Sequence, residues 1–187
     1  IKVINHARNI GIGAAMKTGI NYVSAVIDKD DILITMDADN THHTDIFPNI
    51  IKSIRNGCDI VIASRYATGG CEVGLACFRK VLSRCASSLL KVFFPVKNVS
   101  DYTSGYRAYY GGIIKKASNV YGENLITKYG FTCMAEILIK LSKLTNSINE
   151  IGLVLRYDLK KGRSKIKILK TIFEYFLLIL KLKFLIK

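Results

Sequence analysis

Ile32-Leu33-Ile34-Thr35-Met36-Asp37-Ala38-Asp39 is the stretch on which the fold turns: five residues of strand character that stop at two carboxylates one residue apart. A short run of apolar and β-branched residues marks a buried strand. Residues two apart on an extended backbone share a face, so Asp37 and Asp39 can approach one hard cation through oxygen ligands. Open α/β sheets collect ligands at the carboxyl ends of their strands, and this strand delivers its acids there. An isolated D-x-D is usually a solvated turn; the strand in front of it raises the signal. A cation held there can carry a diphosphate.

Outward from this strand the chain alternates strand and helix, which predicts an α/β fold with a mainly parallel sheet. Upstream, Ile1 to Ile4 reads as a short strand, and Asn9-Ile10-Gly11-Ile12-Gly13 as a tight turn opening a helix towards Ala25. The glycine spacing there fits neither G-x-G-x-x-G nor a P-loop, so the turn is read as structural. Downstream, Thr44-Asp45 and Pro48 open a helix towards Asn56. Asp59 to Ala63 is a second buried strand, ending in Ser64-Arg65-Tyr66. A helix is expected over residues 75–94, stopped by Pro95, and Asp101 to Tyr110 is polar, aromatic and partly extended. Met134 to Leu144 reads as a helix, Ile148 to Tyr157 as a last strand, residues 160–165 as a basic loop and Ile166 to Lys187 as a long helix.

Half of the 187 residues are apolar, which excludes a disordered chain and supplies one sizeable core. The five cysteines form no C-x-x-C pair and are read as reduced thiols in a reducing compartment. No signal-peptide pattern opens the sequence, and Ile1-Lys2-Val3-Ile4 reads like the middle of a strand, so a fragment is expected. Half of the net charge of +14 lies between Asp158 and Lys187, where nine Lys or Arg face two acids. In the terminal helix Lys167, Lys170, Glu174 and Lys181 share a face, with Ile168, Leu169, Ile172, Phe173, Phe176 and Ile179 opposite. Its uncharged run falls far short of the about 20 residues a spanning helix needs, so it is expected to lie in a membrane interface. The competing reading is a helix packed on its own sheet.

Arg65 closes the second buried strand and is expected at the same sheet edge as the Asp pair. Arg79 and Ser83 lie four apart on one face of the following helix. A guanidinium fork matches phosphate oxygens and a hydroxyl adds a further donor, so these three residues suit a second phosphate. His42 and His43 lack partners at zinc-ligand spacing and are read as surface-loop residues. Asp101-Tyr102-Thr103-Ser104-Gly105-Tyr106-Arg107 supports neither a Ser-His-Asp triad nor a nucleophile elbow. Glu136, in an otherwise apolar helix, is either paired inside the protein or faces the cleft.

In order, these pieces are Asn9-x-Gly11-x-Gly13-Ala14, Asp37-Ala38-Asp39, Ala63-Ser64-Arg65-Tyr66, Gly69-Gly70, Arg79 with Ser83, Asp101-x-Thr103-Ser104-Gly105-Tyr106-Arg107, Gly130-Phe131 with Glu136, and Gly162-Arg163-Ser164-Lys165. The set resembles family-2 glycosyltransferases, with the dolichyl- and polyprenyl-phosphate mannosyl- and glucosyltransferases the nearest type. The resemblance runs from about Ile4 to Lys165. It implies a GT-A-type, Rossmann-like α/β fold and metal-dependent, inverting transfer of a hexose from a nucleotide sugar of GDP-mannose or UDP-glucose type to a polyprenyl phosphate. By the same resemblance Asp37, Ala38 and Asp39 bind the donor diphosphate, with Asp37 and Asp39 holding Mg²⁺ or Mn²⁺. Arg65, Arg79 and Ser83 grip the acceptor phosphate together with Ser164. Arg163, Ser164 and Lys165 form a loop closing over the donor, with Arg163 and Lys165 on the diphosphate. Asp39, Asp101 and Arg163 are the residues assigned to catalysis.

The family's first β-α-β unit, which binds the nucleotide base, is expected to precede Ile1. The division expected is a catalytic domain over residues 1–165 and a basic membrane-interface helix over 166–187, on a cytoplasmic membrane face and with no nucleic-acid partner. Two alternatives remain open: a family-2 enzyme extending a cell-surface glycan, and a non-catalytic basic membrane-binding module.

Overall fold

Strand β2 (Ile60–Ser64) is buried at every residue and organises the molecule. Its side chains alternate between two cores, as a pleated strand requires. Ile60 and Ile62 join the larger cluster, while Val61 and Ala63 join the smaller. The computed structural model describes residues 1–160 and 168–185. Helices α1 (Ile12–Val26), α3 (Cys77–Phe93), α4 (Gly111–Tyr121), α5 (Cys133–Leu141) and α6 (Ile168–Leu185) contribute to the larger core. Helix α2 (Phe47–Arg55) covers the other face through Ile50 and Ile54. It begins with Pro in its first turn and ends with Lys52 and Arg55, both favourable placements against the helix dipole.

The main sheet has the order β1-β4-β2-β5, with β1 at Ile32–Thr35, β4 at Arg107–Tyr110 and β5 at Ile148–Gly152. Strand β4 lies antiparallel to both β1 and β2, whereas β2 and β5 are parallel. Three strands therefore point one way and β4 the other, so the expected mainly parallel direction holds for three strands and β4 is an antiparallel insertion. The reversal has a consequence for the site. Arg107, the first residue of β4, pairs with Thr35 and Ile62 near the carboxyl ends of β1 and β2. The Asp101–Tyr106 segment leading into β4 is thus delivered to the edge where Asp37 and Arg65 emerge.

Other expectations are corrected as well. Residues 1–4 form no strand; Ile1, Val3 and Ile4 are exposed, and β1 pairs with β4 alone. The last strand divides at Leu153, whose N–H donates to the Ser64 carbonyl while its own carbonyl accepts from Cys71 N–H. Beyond it, β6 (Val154–Arg156) pairs with β3 (Cys71–Val73) in a separate two-stranded parallel sheet. Helix α4 was not among the expected elements. A Cβ at Gly111 would lie 2.0 Å from the Asp28 carbonyl oxygen, so glycine there permits a close backbone approach. Gly13 does the same at the start of α1, where a Cβ would meet the Lys128 carbonyl oxygen at 1.9 Å.

Helix α6 divides its apolar residues between two sides. Tyr175, Leu178, Ile179 and Leu182 are buried in the main core, while Ile172, Phe173, Phe176, Leu177, Leu180 and Phe184 are exposed. Ile179 is therefore a core residue, not part of an interfacial face. No helix among the described residues is long and apolar enough to cross a membrane.

Candidate active site

The carboxyl edge of the main sheet opens into a cavity of about 610 Å³ between that edge, α3 and α6. Its polar lining includes Asp37, Ala38, Asp39, His42, Arg65, Arg79, Ser83, Thr103 and Lys160. Its apolar lining comes from Leu75, Leu82 and Ala86 around α3, Phe131 and Met134 near α5, and Ile172 and Tyr175 of α6. The Asp pair and the Arg79–Ser83 pair, separated by forty residues of sequence, thus face one space. Arg163, Ser164 and Lys165 lie outside the described residues.

Asp37 and Asp39 leave β1 on a loop that curls at Asn40, which holds φ 65° in the left-handed region that asparagine tolerates. Thr41 closes the curl, donating to Asp39 Oδ1 from its hydroxyl at 2.6 Å and its backbone N–H at 3.2 Å. The Lys160 ammonium donates to Asp39 Oδ2. Burial pushes the Asp39 carboxyl upward, but the bonds from Lys160 and Thr41 outweigh it and hold the group below the usual carboxylate range. His42 is half-buried, not a free surface residue. Its Nδ1 accepts the Asp37 N–H at 3.1 Å, and its ring stacks on Tyr106 at 4.9 Å. Burial lowers its pKa despite the nearby carboxylates.

The described residues contain no group of three or more His, Cys, Asp or Glu able to cage a metal. Two carboxylates on one loop suit a cation that takes its other ligands from a substrate diphosphate and water, the habit of Mg²⁺. In this structure the Lys160 ammonium supplies the counter-charge to Asp39.

Arg65 occupies a different environment. Its Nε donates to Asp101 Oδ2 and its Nη2 to Asp101 Oδ1, both at 2.7 Å, and Nη2 also reaches the Thr103 hydroxyl at 2.6 Å. Its Nη1 lies 3.6 Å from Glu72 Oε1. Asp101 is fully buried and accepts further bonds from the backbone N–H groups of Arg65, Thr103 and Ser104. Burial works against charge on both partners, yet the pairing prevails: Arg65 is raised and Asp101 lowered. Asp101 does not line the cavity. Its carboxylate is consumed in orienting Arg65 and the loop before β4. Ser83 lies beside this pair, its Oγ accepting from the Tyr66 hydroxyl at 3.0 Å and lying 3.2 Å from Thr103 Oγ1.

Two groups escaped sequence reasoning. Tyr157 accepts from Arg79 Nη1 at 2.9 Å through its hydroxyl, and its ring lies 5.4 Å from the Lys160 ammonium. It therefore spans from the Asp39 side to the Arg79 side. Glu72 sits behind Arg65. Neither has a local signal beyond its place at a strand end or in a short strand. Glu136 resolves as internal: it accepts from Thr127 N–H and hydroxyl, Lys128 N–H and Lys140 Nζ, stapling the segment before Phe131.

A model of the family described as glycosyl transferase family 2 matches residues 1–111, more than half of the chain. The chain belongs to glycosyl transferase family 2. Within that family it is 32% identical over 178 residues to a dolichol-phosphate mannosyltransferase of Pyrococcus furiosus, covering 94% of this chain and 46% of the relative. It is 26% identical over 165 residues to an undecaprenyl-phosphate mannosyltransferase of Micrococcus luteus, covering 88% and 64%. A polyprenol monophosphomannose synthase of Mycolicibacterium smegmatis is 29% identical over 116 residues, covering 62% and 43%. The chain of this family-2 member thus spans between 43% and 64% of these relatives' lengths.

Proposed function

We propose that this chain carries the centre of a hexosyl transfer from a nucleotide diphosphate sugar to a polyprenyl phosphate. The observation that carries it is the cavity itself, which joins a carboxylate edge, an Arg–Ser group and an apolar wall in one space. An amphiphile with a phosphate head and a prenyl chain needs the last two together. The relatives' names supply mannose as the sugar to test first. GDP-mannose, one of the donor types implied by the family resemblance, is the donor to test with it.

Asp37 and Asp39 would hold Mg²⁺ or Mn²⁺, which when bound neutralises charge on the departing diphosphate. Lys160 must yield Asp39 Oδ2 for that, and its ammonium then stands beside the diphosphate. Arg163 and Lys165 are assigned to the same diphosphate by the family resemblance. Arg79 and Ser83 hold the acceptor phosphate, with Arg65 contributing its fixed charge and Ser164 assigned to it by the family resemblance. The acceptor phosphate is an anion at neutral pH and attacks the anomeric carbon directly, so inversion follows and no strong general base is required. Asp101 serves by holding Arg65 in place, not by moving a proton.

The exposed apolar side chains of α6, and Phe78, Val81, Leu89 and Val92 of α3, belong to two helices that also line the cavity. We assign these exposed side chains to a membrane interface on the cytoplasmic side, where an embedded polyprenol can reach the cavity. A glycan-extending enzyme would have no use for the cavity's apolar wall. The test is to incubate the protein with polyprenyl phosphate and a panel of labelled nucleotide sugars, with and without Mn²⁺. Solvent-extractable label that depends on both lipid and cation is expected; label appearing only in a water-soluble glycan overturns the assignment.

A further inference from the structure

A second cleft, of about 440 Å³, lies against another face of α3 and shares Arg65 with the cavity described above. Arg84, Ser87, Ser88 and Lys91 line it from spacings of three, four and seven, which place them on one helical face. Arg65, Tyr66, Gly70 and Ser100 line it from outside that helix. Ser87 is only 3% exposed and its buried hydroxyl has no hydrogen-bond partner, an unfavourable state that an oxygen-rich ligand would relieve. The charges do not cancel. Arg65 is matched by Asp101, and Arg84 lies 3.9 Å from the buried Glu72 carboxylate. Lys91 has no ion-pair partner among the described residues. Basic donors and hydroxyls on one face are the chemistry of a phosphate-class oxyanion site.

The neighbourhood identifies the source of that oxyanion. Val81 and Val92, exposed on the same helix, stand three before Arg84 and four after Ser88, beside the polar face. An occupant with a phosphate head and apolar chains would engage both. Tyr66 lies between this cleft and the acceptor site, which meet at Arg65: its ring lies 5.0 Å from the Arg65 guanidinium and 5.5 Å from that of Arg84. Its hydroxyl bonds Ser83 on the acceptor side. We propose that the part of the cleft on α3 is a headgroup site for an anionic phospholipid, adjoining the acceptor site at Arg65 and anchoring α3 at the membrane surface. This rests on the membrane-interface reading of α3 and α6.

Vesicle co-sedimentation of the protein, without nucleotide sugar or acceptor lipid, tests it. Neutral phosphatidylcholine vesicles are compared with vesicles in which about one third of the lipid is phosphatidylglycerol. The wild type is expected to bind the anionic vesicles more tightly. Ser87→Ala and Lys91→Gln should each remove about fivefold of that increment while binding neutral vesicles normally. Lys97→Gln, an exposed lysine outside the cleft, should remove less than about twofold. Ser87→Ala changes no charge, so a merely diffuse basic surface would not respond to it. An unaltered increment in Ser87→Ala, or an equal loss in Lys97→Gln and Lys91→Gln, overturns the site.

Inorganic phosphate in the buffer distinguishes the source. It should compete with the anionic increment in the wild type and leave the residual binding of Ser87→Ala unchanged. Phosphate binding that depends on Ser87, with no such dependence on vesicles, overturns the headgroup assignment. Loss of neutral-vesicle binding alone, with the cleft-dependent increment intact, overturns the apolar-interface reading and not the cleft.

Discussion

The two halves of the cavity are built on opposite principles. Around Arg65 the charges are buried and paired: Asp101 is multiply hydrogen-bonded, the hidden Glu72 meets Arg65 only as an ion pair, and Thr103 bridges to Ser83. Around Asp39 the groups are half-exposed, and one lysine supplies the counter-charge. The first half is a fixed frame, whereas the second is a replaceable contact. A phosphate that is recognised in the same way each turnover benefits from pre-set donors. A diphosphate that arrives with its own cation needs a carboxylate that can exchange partners. Under the proposed function, the difference would put rigidity on the acceptor side and exchange on the donor side.

Breaking the frame should have the largest effect. Asp101→Ala leaves the Arg65 guanidinium buried without its acid and should destabilise the fold by about 3–5 kcal/mol, read from urea unfolding. By contrast, Asp39→Ala should change stability by less than about 1 kcal/mol, because the Lys160 pair is partly solvated. The same substitution should lower transfer by at least about 100-fold, through the lost anchorage of the cation and diphosphate. Unchanged turnover would remove Asp39 from the donor side. Arg79→Ala should raise the KM for polyprenyl phosphate about tenfold and that for the nucleotide sugar little. An equal rise in both would dissolve the division between the halves.

Acid titration sharpens the same contrast. Asp101 has a lowered carboxyl pKa in the fold, so its pairing is fully present above the unfolded value of about 3.9. That contribution is lost as pH falls through the lower folded value. Asp101→Asn should flatten this acid limb of the stability profile, measured by thermal unfolding across pH. The smallest expected effect is at the surface: Phe173→Ser with Phe176→Ser should leave stability within about 0.5 kcal/mol of wild type. Binding to neutral vesicles should nevertheless weaken, and retention would detach α6 from the interface.

Much of the frame was legible in local pattern. The β1 and β2 strands, α2, α3 and α5 follow from apolar periodicity and from Pro48 and Pro95, signals carried within a few residues. The D-x-D loop and the Arg79–Ser83 spacing were legible for the same reason. The reversed β4 was not, because strand direction depends on a partner far away in sequence. The split at Leu153 was hidden by a continuous apolar run that serves two sheets. His42 resembled any loop histidine until Tyr106 was stacked on it.

The sequence by itself determined which residues could meet a cation and which could meet a phosphate, because charge, fork geometry and hydroxyl donors belong to side chains. It also determined that α6 was too charged and interrupted to span a membrane. Only the tertiary structure decided how those residues are used. The antiparallel insertion of β4 carries Asp101 to Arg65 and makes that acid a structural partner. The end of β6 brings Tyr157 and Lys160 between the two sides of the cavity. Packing of α6 against the core divides its apolar residues between interior and surface. Each of these depends on contacts between segments distant in the chain, which no local spacing encodes.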